Sequence, residues 1–264
     1  LISPFFWARQ IICKKPGKNN NYLLFSAAAQ NFGMRSSILY SEIQFSLNTE
    51  FGKVIETKKN IKISDSCNFF LSIIQHSNNK DFWLLVHKIN TNTFLSFYID
   101  SNGVSNIPIA TNIGPIFGEI EGGEFKVSPD SKKFTYSRAI DRSLYYGEFN
   151  RQTGDVLLFN RIYLLENFSY PLSFSPSSRF IFGAFQVNQP FIPNSTRGRI
   201  FQIDTYNSDS ISISNSFQII DTIPFYQNIS MQLGIDGKIY FCDLHPNSQH
   251  MGVIHCPDQP GKLA

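Results

Sequence analysis

The chain has 264 residues, a formal net charge of +3, and charged residues at only 16% of its positions. Hydrophobic residues make up 42% of it, which is enough to build a core and excludes a disordered chain. Its lysines and arginines occur in short scattered groups, such as Lys14, Lys15 and Lys18, which we interpret as solvated turns. They form no dense basic stripe, so we expect no nucleic-acid partner.

The segment 1–7 is too short for a signal peptide and has no basic leader. Because the chain begins with Leu1 and not with Met, we interpret it as a fragment or a processed product. No run of 18 apolar residues follows, so we expect no insertion into a membrane. The 26 Phe and 11 Tyr indicate strands, because aromatic side chains suit a half-buried pleated surface.

One polar turn recurs along the chain, each time with a cation at its exit and an aromatic strand after it. Such a turn between two apolar runs predicts a β-hairpin. In chain order the turns, called signature turns below, are Lys14–Lys18, His76–Lys80, Ser128–Lys132, Ser175–Arg179 and Gly234–Lys238. Their exits are 62, 52, 47 and 59 residues apart.

A second turn follows four of the signature turns, where a strand ends on Asn48, Asp100, Asn150 or Asp204. Asp and Asn close turns through their own backbone, and another apolar strand is expected after each. After Asp204 we expect that strand to begin at Ile211. Two hairpins in each repeat make a four-stranded antiparallel sheet, and repeats of about 50 residues are typical of propeller blades.

The sequence therefore predicts an all-β fold, a single β-propeller domain over residues 1–264. A β-sandwich or an open barrel is the main alternative, but it does not explain two turns that recur in fixed order. The chain could also be part of a larger, seven-bladed propeller. The predicted blades are five in number and span residues 8–63, 69–113, 123–165, 169–220 and 228–257.

Several of these segments resemble motifs of a family of propeller-like ectodomains from Bacteroidetes. The segment His76–His87 is similar to the family's H-x-N-G-x-D-x-W-x-x-x-H motif, with Asn79 where Gly is usual. Similar matches occur at 11–17, 128–132, 236–240 and 253–261. Proteins of this family often end in a gliding-motility-associated sorting domain of the type IX secretion system. The resemblance implies a secreted or cell-surface setting and assigns no catalytic residue.

Two groups of residues are candidates for binding. His76, Asp81 and His87 could bind zinc or orient a base, but we interpret them chiefly as structural. On this interpretation His76 and Asp81 face each other across their turn, Asp81 closes it, and His87 bonds a neighbouring blade. We therefore predict no catalytic residue, no metal site and no cofactor.

The second candidate is a long insertion at 186–197, which cannot be a tight turn and which we interpret as a contact loop. Its candidate residues are Asn188, Phe191 and Arg197. Elsewhere in the chain, Cys13, Cys67 and Cys242 lie in or beside apolar segments, so we expect them to be buried, small hydrophobic residues.

Three functions stay open at this point. The first is a non-catalytic binding or scaffold module that meets a protein or glycan partner through its loops. The second is a lactonase- or lyase-like propeller enzyme with a cation in its central channel. It should collect carboxylates or histidines at equivalent positions of several blades, and no such recurrence is found. The third is a glycan-binding lectin, which needs an exposed aromatic and polar set in each blade.

Overall fold

The computed structural model describes residues 10–30, 35–46, 51–118, 123–138, 143–163, 171–188, 196–223, 230–242 and 251–264. Antiparallel strands make up nearly all the regular structure of these residues. The chain divides into two compact units. The first unit contains residues 1–122 and 149–158, and the second contains residues 123–148 and 159–264.

The first unit contains one hydrogen-bonded sheet, in which consecutive strands pair mainly in chain order. Its strands are β1 (Gln10–Lys14), β2 (Asn21–Gln30), β3 (Arg35–Phe45), β4 (Gly52–Val54), β5 (Ile61–Gln75), β6 (Phe82–Lys88), β7 (Thr91–Asp100), β8 (Gly103–Val104) and β9 (Ile109–Phe117). A 3-10 turn, Glu56–Lys58, joins β4 to β5.

Strand β5 belongs to two blades, which is why nine strands form one sheet. Its first half pairs with β3 up to Cys67. It pairs with β6 at Cys67 and then from Leu71 onward, with an irregular register between these two residues. Blade 1 is therefore β1–β3 with the start of β5, and blade 2 is the rest of β5 with β6, β7 and β9. One apolar core, which includes Phe25 and Phe97, packs these blades together.

Three further sheets, which lie in the second unit except for residues 149 and 156–158, have the strand orders β10-β11-β12-β13, β14-β15-β16-β17 and β18-β19-β20 and are here called blades 3, 4 and 5. The strands of blade 3 are β10 (Gly123–Val127), β11 (Lys133–Arg138), β12 (Ser143–Phe149) and β13 (Val156–Ile162). Those of blade 4 are β14 (Leu172–Phe174), β15 (Phe180–Asn188), β16 (Thr196–Asp204) and β17 (Gln218–Ile223). Those of blade 5 are β18 (Ser230–Leu233), β19 (Ile239–Cys242) and β20 (Met251–Ile254).

The blades of the second unit are arranged so that their first strands are neighbours. Strand β14 contacts both β10 and β18, although no backbone hydrogen bonds join the three sheets within the described residues. Side chains such as Phe182, Ile200 and Met231 form a core between blades 4 and 5. Antiparallel four-stranded meanders repeated with adjacent first strands are the architecture of a β-propeller. The prediction of an all-β propeller is confirmed.

The five signature turns share one backbone feature that the sequence repeat reflects. The residue immediately before the cation has a positive φ between 56° and 77° in every turn. Glycine adopts this conformation at no steric cost, and Asn tolerates it better than most residues. The five residues are Gly17, Asn79, Ser131, Ser178 and Gly237. This explains why a family motif with Gly at the position of Asn79 can accept Asn.

One predicted strand is wrong. Ile211 lies in a short helix, α1 (Ser210–Asn215), and the fourth strand of blade 4 begins only at Gln218. The helix forms because the Asp209 carboxylate accepts a hydrogen bond from the Ser212 backbone N–H at 2.8 Å, as an N-cap does. In the described part of the chain, no helix has the length and apolar character required to cross a bilayer.

Candidate functional site

His76 and Asp81 lie at the two ends of the signature turn of blade 2. The backbone N–H of His76 donates to the carbonyl of Asp81 at 2.9 Å, so the two residues face each other across the turn, as predicted. The Asp81 carboxylate accepts hydrogen bonds from the amide of Asn78 and the hydroxyl of Tyr98, both at 2.6 Å. Burial and, next, the nearby Asp81 carboxylate raise the pKa of Tyr98 to about 12. Asp81 therefore closes the turn.

Arg151, in the turn between β12 and β13, forms hydrogen bonds to the signature turn of blade 2 and to the residue before it. Its guanidinium donates to the carbonyls of Gln75 and His76 at 2.9 and 3.0 Å, and to Oδ1 of Asn79 at 2.8 Å. In return, the indole N–H of Trp83 donates to the Arg151 carbonyl at 2.8 Å. The Asn79 side chain thus makes a contact that Gly, the usual residue of the motif, could not make.

The imidazole of His76 is held in the same arrangement. Its Nε2 lies 3.3 Å from the carbonyl of Gln152, and its Nδ1 accepts from the backbone N–H of Asn78 at 3.1 Å. The ring also packs against Trp83 and Tyr98, with centroids 5.7 and 5.3 Å away. Both ring nitrogens therefore have partners, and the arrangement positions a turn.

A comparable contact recurs in the second unit, at the signature turn of blade 3. The ammonium of Lys133 donates to the carbonyl and the hydroxyl of Thr205, at 3.1 and 3.0 Å. The backbone N–H of Asp130 donates to the hydroxyl of Ser178, in the signature turn of blade 4, at 3.0 Å. Different residue types make equivalent contacts in different blades. We therefore interpret these turns as structural elements that stabilise the fold.

His87 lies apart from that turn, fully buried on β6. Its Nδ1 is 3.3 Å from the amide nitrogen of Asn68, which is on β5 of the same blade. The rings of Phe70, Phe94 and Phe117 surround it, with centroids 4.6 to 5.6 Å away. The expected bond to a neighbouring blade is therefore replaced by a bond within blade 2. The structure does not bring His87 together with His76 and Asp81 into one site.

The candidate contact loop is shorter than the sequence indicated. Asn188 is the last residue of β15 and pairs with Thr196, while Arg197 lies in β16 and pairs with Val187. The strands extend into the predicted insertion because their ladder continues to these residues. Phe191 lies outside the described residues.

Blade 1 contains a buried ionic cluster that sequence reasoning missed. The Glu42 carboxylate accepts hydrogen bonds from Lys15 at 3.0 and 3.2 Å, from Lys58 at 2.9 Å and from the amide of Asn21 at 2.6 Å. The side chains of Lys15 and Glu42 are only 5% and 3% exposed, so Lys15 is not the solvated turn residue that we expected. Although burial alone raises it, these donors together hold the pKa of Glu42 at about 2.

The four thiols differ in burial. Cys13 and Cys67 are buried, as expected, and burial raises the pKa of Cys13 to about 12. Cys242 is only half-buried, and Cys256 is exposed. Among the described residues, no group of three or more His, Cys, Asp or Glu side chains is arranged to hold a metal ion.

A surface around helix α1 combines exposed apolar and cationic groups. Ile211 is 72% exposed, Tyr163 is 70% exposed and Tyr206 is 77% exposed. The guanidinium of Arg161 lies 5.6 Å from the ring centre of Tyr163, and that of Arg179 lies 5.3 Å from the ring centre of Tyr206. We call these five residues the α1 surface.

Hydrogen bonds hold the parts of the α1 surface together. The backbone N–H of Tyr163, after β13, donates to the Ser214 hydroxyl of the helix at 3.1 Å. At the other end, the Ser216 hydroxyl accepts from the backbone N–H of Asp204 at 2.8 Å. The Tyr206 backbone N–H donates to the Asp204 carboxylate at 2.9 Å. The exposed side chains are therefore carried on a fixed backbone. An Asp followed by a Ser-rich stretch was the available sequence signal for the helix.

No family model matches the chain, and no curated protein matches it. Several solved structures are similar at low identity. A protein from Lactobacillus plantarum is 10% identical, with a TM-score of 0.48 over 88% of this chain and 63% of its own. The Cps50 (Swd1) β-propeller domain of Myceliophteria thermophila is 7% identical, with a TM-score of 0.45 over 88% of this chain and 66% of its own.

The periplasmic gluconolactonase PpgL of Pseudomonas aeruginosa is 12% identical, with a TM-score of 0.42 over 89% of this chain and 54% of its own. This chain thus spans less than two thirds of the length of the Lactobacillus protein and about half that of the gluconolactonase. The hydrogen-bonded sheets themselves, rather than these similarities, establish the propeller fold.

Proposed function

We propose that this propeller is a non-catalytic binding module whose α1 surface contacts a protein partner. The observation that carries the proposal is the grouping of Tyr163, Tyr206 and Ile211, each at least 70% exposed, beside two arginines. Tyrosine and arginine are enriched among the residues that dominate the energy of protein interfaces. Exposed apolar patches that are rimmed by polar residues often mark protein interaction sites.

The charge of this surface favours an acidic partner. Arg179 donates to both carboxylate oxygens of Asp204, from Nε to Oδ1 and from Nη2 to Oδ2, so its charge is compensated. Among the described residues, Arg161 lies over the ring of Tyr163 and pairs with no carboxylate. A guanidinium binds a carboxylate through two parallel hydrogen bonds. The partner therefore presents an acidic side chain to Arg161 and an apolar side chain to Ile211.

A photo-crosslinking amino acid tests the proposal in extracts and on cells of the source organism. Placed at position 211, it is expected to capture one discrete protein, and Arg161→Glu should abolish the capture. An excess of the unlabelled protein should compete for the same partner. Ile235 is the matched control, since it is also an exposed isoleucine of the second unit. Equal capture from positions 211 and 235, or capture that Arg161→Glu leaves unchanged, would contradict the proposal.

A glycan partner gives a different result. If the module is a lectin, a glycan array should detect binding that depends on an aromatic ring, and Tyr163→Ala should remove it while Arg161→Glu weakens it little. Stacking on an aromatic face needs the ring, whereas the acidic protein segment that we propose needs the charge. The two variants together therefore separate the two kinds of partner.

We also propose that the module belongs to a secreted or cell-surface protein of the Bacteroidetes ectodomain family. The support is the resemblance of the 76–87 segment and the four shorter segments to that family's motifs. Protease treatment of intact cells checks the setting. Digestion of the protein on intact cells is expected, while a protein protected until the cells are lysed would refute the proposal.

A further inference from the structure

The neighbours of His87 determine which of its nitrogens carries the proton. Oδ1 of Asn68 accepts a hydrogen bond from the backbone N–H of Phe70 at 3.0 Å, which fixes the orientation of the Asn68 amide. The amide nitrogen of Asn68 then faces Nδ1 of His87 at 3.3 Å. An amide NH2 can only donate, so Nδ1 must be the acceptor and the proton of the neutral imidazole is on Nε2.

Nε2 of His87 has no hydrogen-bond partner in the described structure. A buried N–H without a conventional partner is rare and costly, and here phenylalanine rings are its neighbours. The side chain has no exposed surface, and Phe94 and Phe117 are at most 1% exposed. The site therefore favours a neutral imidazole over an imidazolium.

Among the described residues, the side chains that face this imidazole from the strands packed against it are uncharged. From β5 it meets Asn68 and Phe70, from β7 Phe94, and from β9 Phe117. The adjacent titratable residues along the chain are Lys88 on β6 and Cys67 on β5, which pair with each other. Cys67 belongs to the core on the other face of the sheet, because successive side chains of a strand alternate.

We propose that His87 makes blade 2 acid-sensitive: a proton added at Nδ1 breaks the contact with Asn68 and opens the blade locally. In the protonated ring, Nδ1–H would face the NH2 group of Asn68, so that two donors meet. The ring would also carry a positive charge among the rings of Phe70, Phe94 and Phe117. Both effects disappear when the strands separate and water reaches the ring. The device is independent of the α1 surface, which lies in the second unit.

The pKa of His87 supports this reasoning and sets the pH window. Burial lowers it from 6.5 to about 3, against a smaller opposing effect of the Lys88 backbone. A histidine with a lowered pKa leaves stability intact above pH 6.5, and that stability is lost as the pH falls toward 3. Between pH 7 and pH 5 the unfolding constant is expected to rise about 25-fold because of this group alone.

The pH range in which His87 affects stability differs from the range in which the buried carboxylate of Glu42 does. Glu42, whose pKa is lowered from 4.5 to about 2, loses its stabilising effect only below pH 4.5. Measurements between pH 5 and pH 7 therefore report on histidine and not on Glu42.

The first test is urea unfolding at pH 7 and pH 5 for the wild type and His87→Phe. Wild type should show the roughly 25-fold change, and His87→Phe should remove most of it, because phenylalanine has no proton to gain. His76→Gln and His255→Gln are controls that should keep the change, since His76 is only half-buried and His255 is exposed. A His87→Phe protein with undiminished acid sensitivity would overturn the proposal.

A second test needs no variant. In 15N-histidine NMR spectra of the wild type, His87 should be protonated on Nε2 and should stay neutral at pH 5. Hydrogen exchange, corrected for the intrinsic effect of pH, should show lower protection at pH 5 in β6 and β7 and little change in β15 and β16. An imidazole that titrates near 6.5 in the folded protein, or a uniform loss of protection, would refute local opening.

Discussion

Replacing Glu42 with Gln tests the buried ionic cluster of blade 1. The change keeps the size of the side chain but removes the charge that compensates Lys15, whose side chain is 5% exposed. Removing one partner of a buried pair usually costs about 3–5 kcal/mol, since it leaves the other charge uncompensated. The lowering of the pKa of Glu42 from 4.5 to about 2 corresponds to roughly 3 kcal/mol.

The contact with Lys58 moderates that figure. The side chain of Lys58 is 42% exposed, so solvent screens its share of the interaction. We therefore expect Glu42→Gln to lower the free energy of unfolding by about 2–3 kcal/mol at pH 7. Urea unfolding, followed by tryptophan fluorescence, measures it. Glu56→Gln is the control: its carboxylate is 75% exposed and lies 3.7 Å from Lys59, so the loss should stay under about 0.5 kcal/mol.

The destabilisation caused by Glu42→Gln should depend on pH. Because the pKa of Glu42 is lowered in the folded state, its contribution is complete above pH 4.5 and is lost as the pH falls to about 2. The difference between wild type and Glu42→Gln should therefore shrink over that range. Adding Lys15→Met to Glu42→Gln should recover part of the loss, since no buried charge then stays unpaired. A Glu42→Gln protein within about 0.5 kcal/mol of wild type at pH 7 would refute the reasoning.

Two further predictions concern packing and thiol burial. Gly154→Ala should destabilise by roughly 3 kcal/mol in urea unfolding, since φ is +84° and a Cβ would lie 2.8 Å from the Trp83 ring. Gly103→Ala is the control and should cost about 1–2 kcal/mol from backbone strain alone, because nothing lies within 4 Å of its added Cβ. If the two variants lose the same free energy of unfolding, the proposed clash between residue 154 and Trp83 is wrong. With a thiol reagent at pH 8, Cys256 should react in the native protein and Cys13 only after unfolding. Rapid native labelling of Cys13 would show that its site is open.

The repeating turns could be predicted from sequence because their chemistry is local. The pattern around Ser128–Lys132 is sufficient to indicate a polar turn, and the backbone bonds Ser128 N–H to Lys133 O and Ser131 N–H to Ser128 O close it within six residues. The same logic applied to Asp204 gave a wrong strand at Ile211. There, the Asp209 side chain offered the backbone a helical N-cap before a strand could form.

The clusters that distinguish this chain could not be predicted, because they join residues far apart in sequence. Lys15 and Glu42 are 27 positions apart, and only the pairing of β2 with β3 brings Glu42 opposite Leu23 and beside the first turn. Read alone, Lys15 is one lysine of a polar turn. Likewise, nothing near His87 in the sequence shows that Asn68, 19 positions earlier, presents its amide to the ring.

The motif at 76–87 shows how a sequence signal can be real and still point away from a binding site. Asp81 is needed because it closes the turn, and Trp83 because its indole donates to the Arg151 carbonyl. His76 fills the space between these groups, whereas His87 lies in the core of the blade. Because these residues build the blade, the motif predicts fold better than function. The exposed side chains of Tyr163, Tyr206 and Ile211 lie outside the signature turns, so replacing them should leave the blades intact.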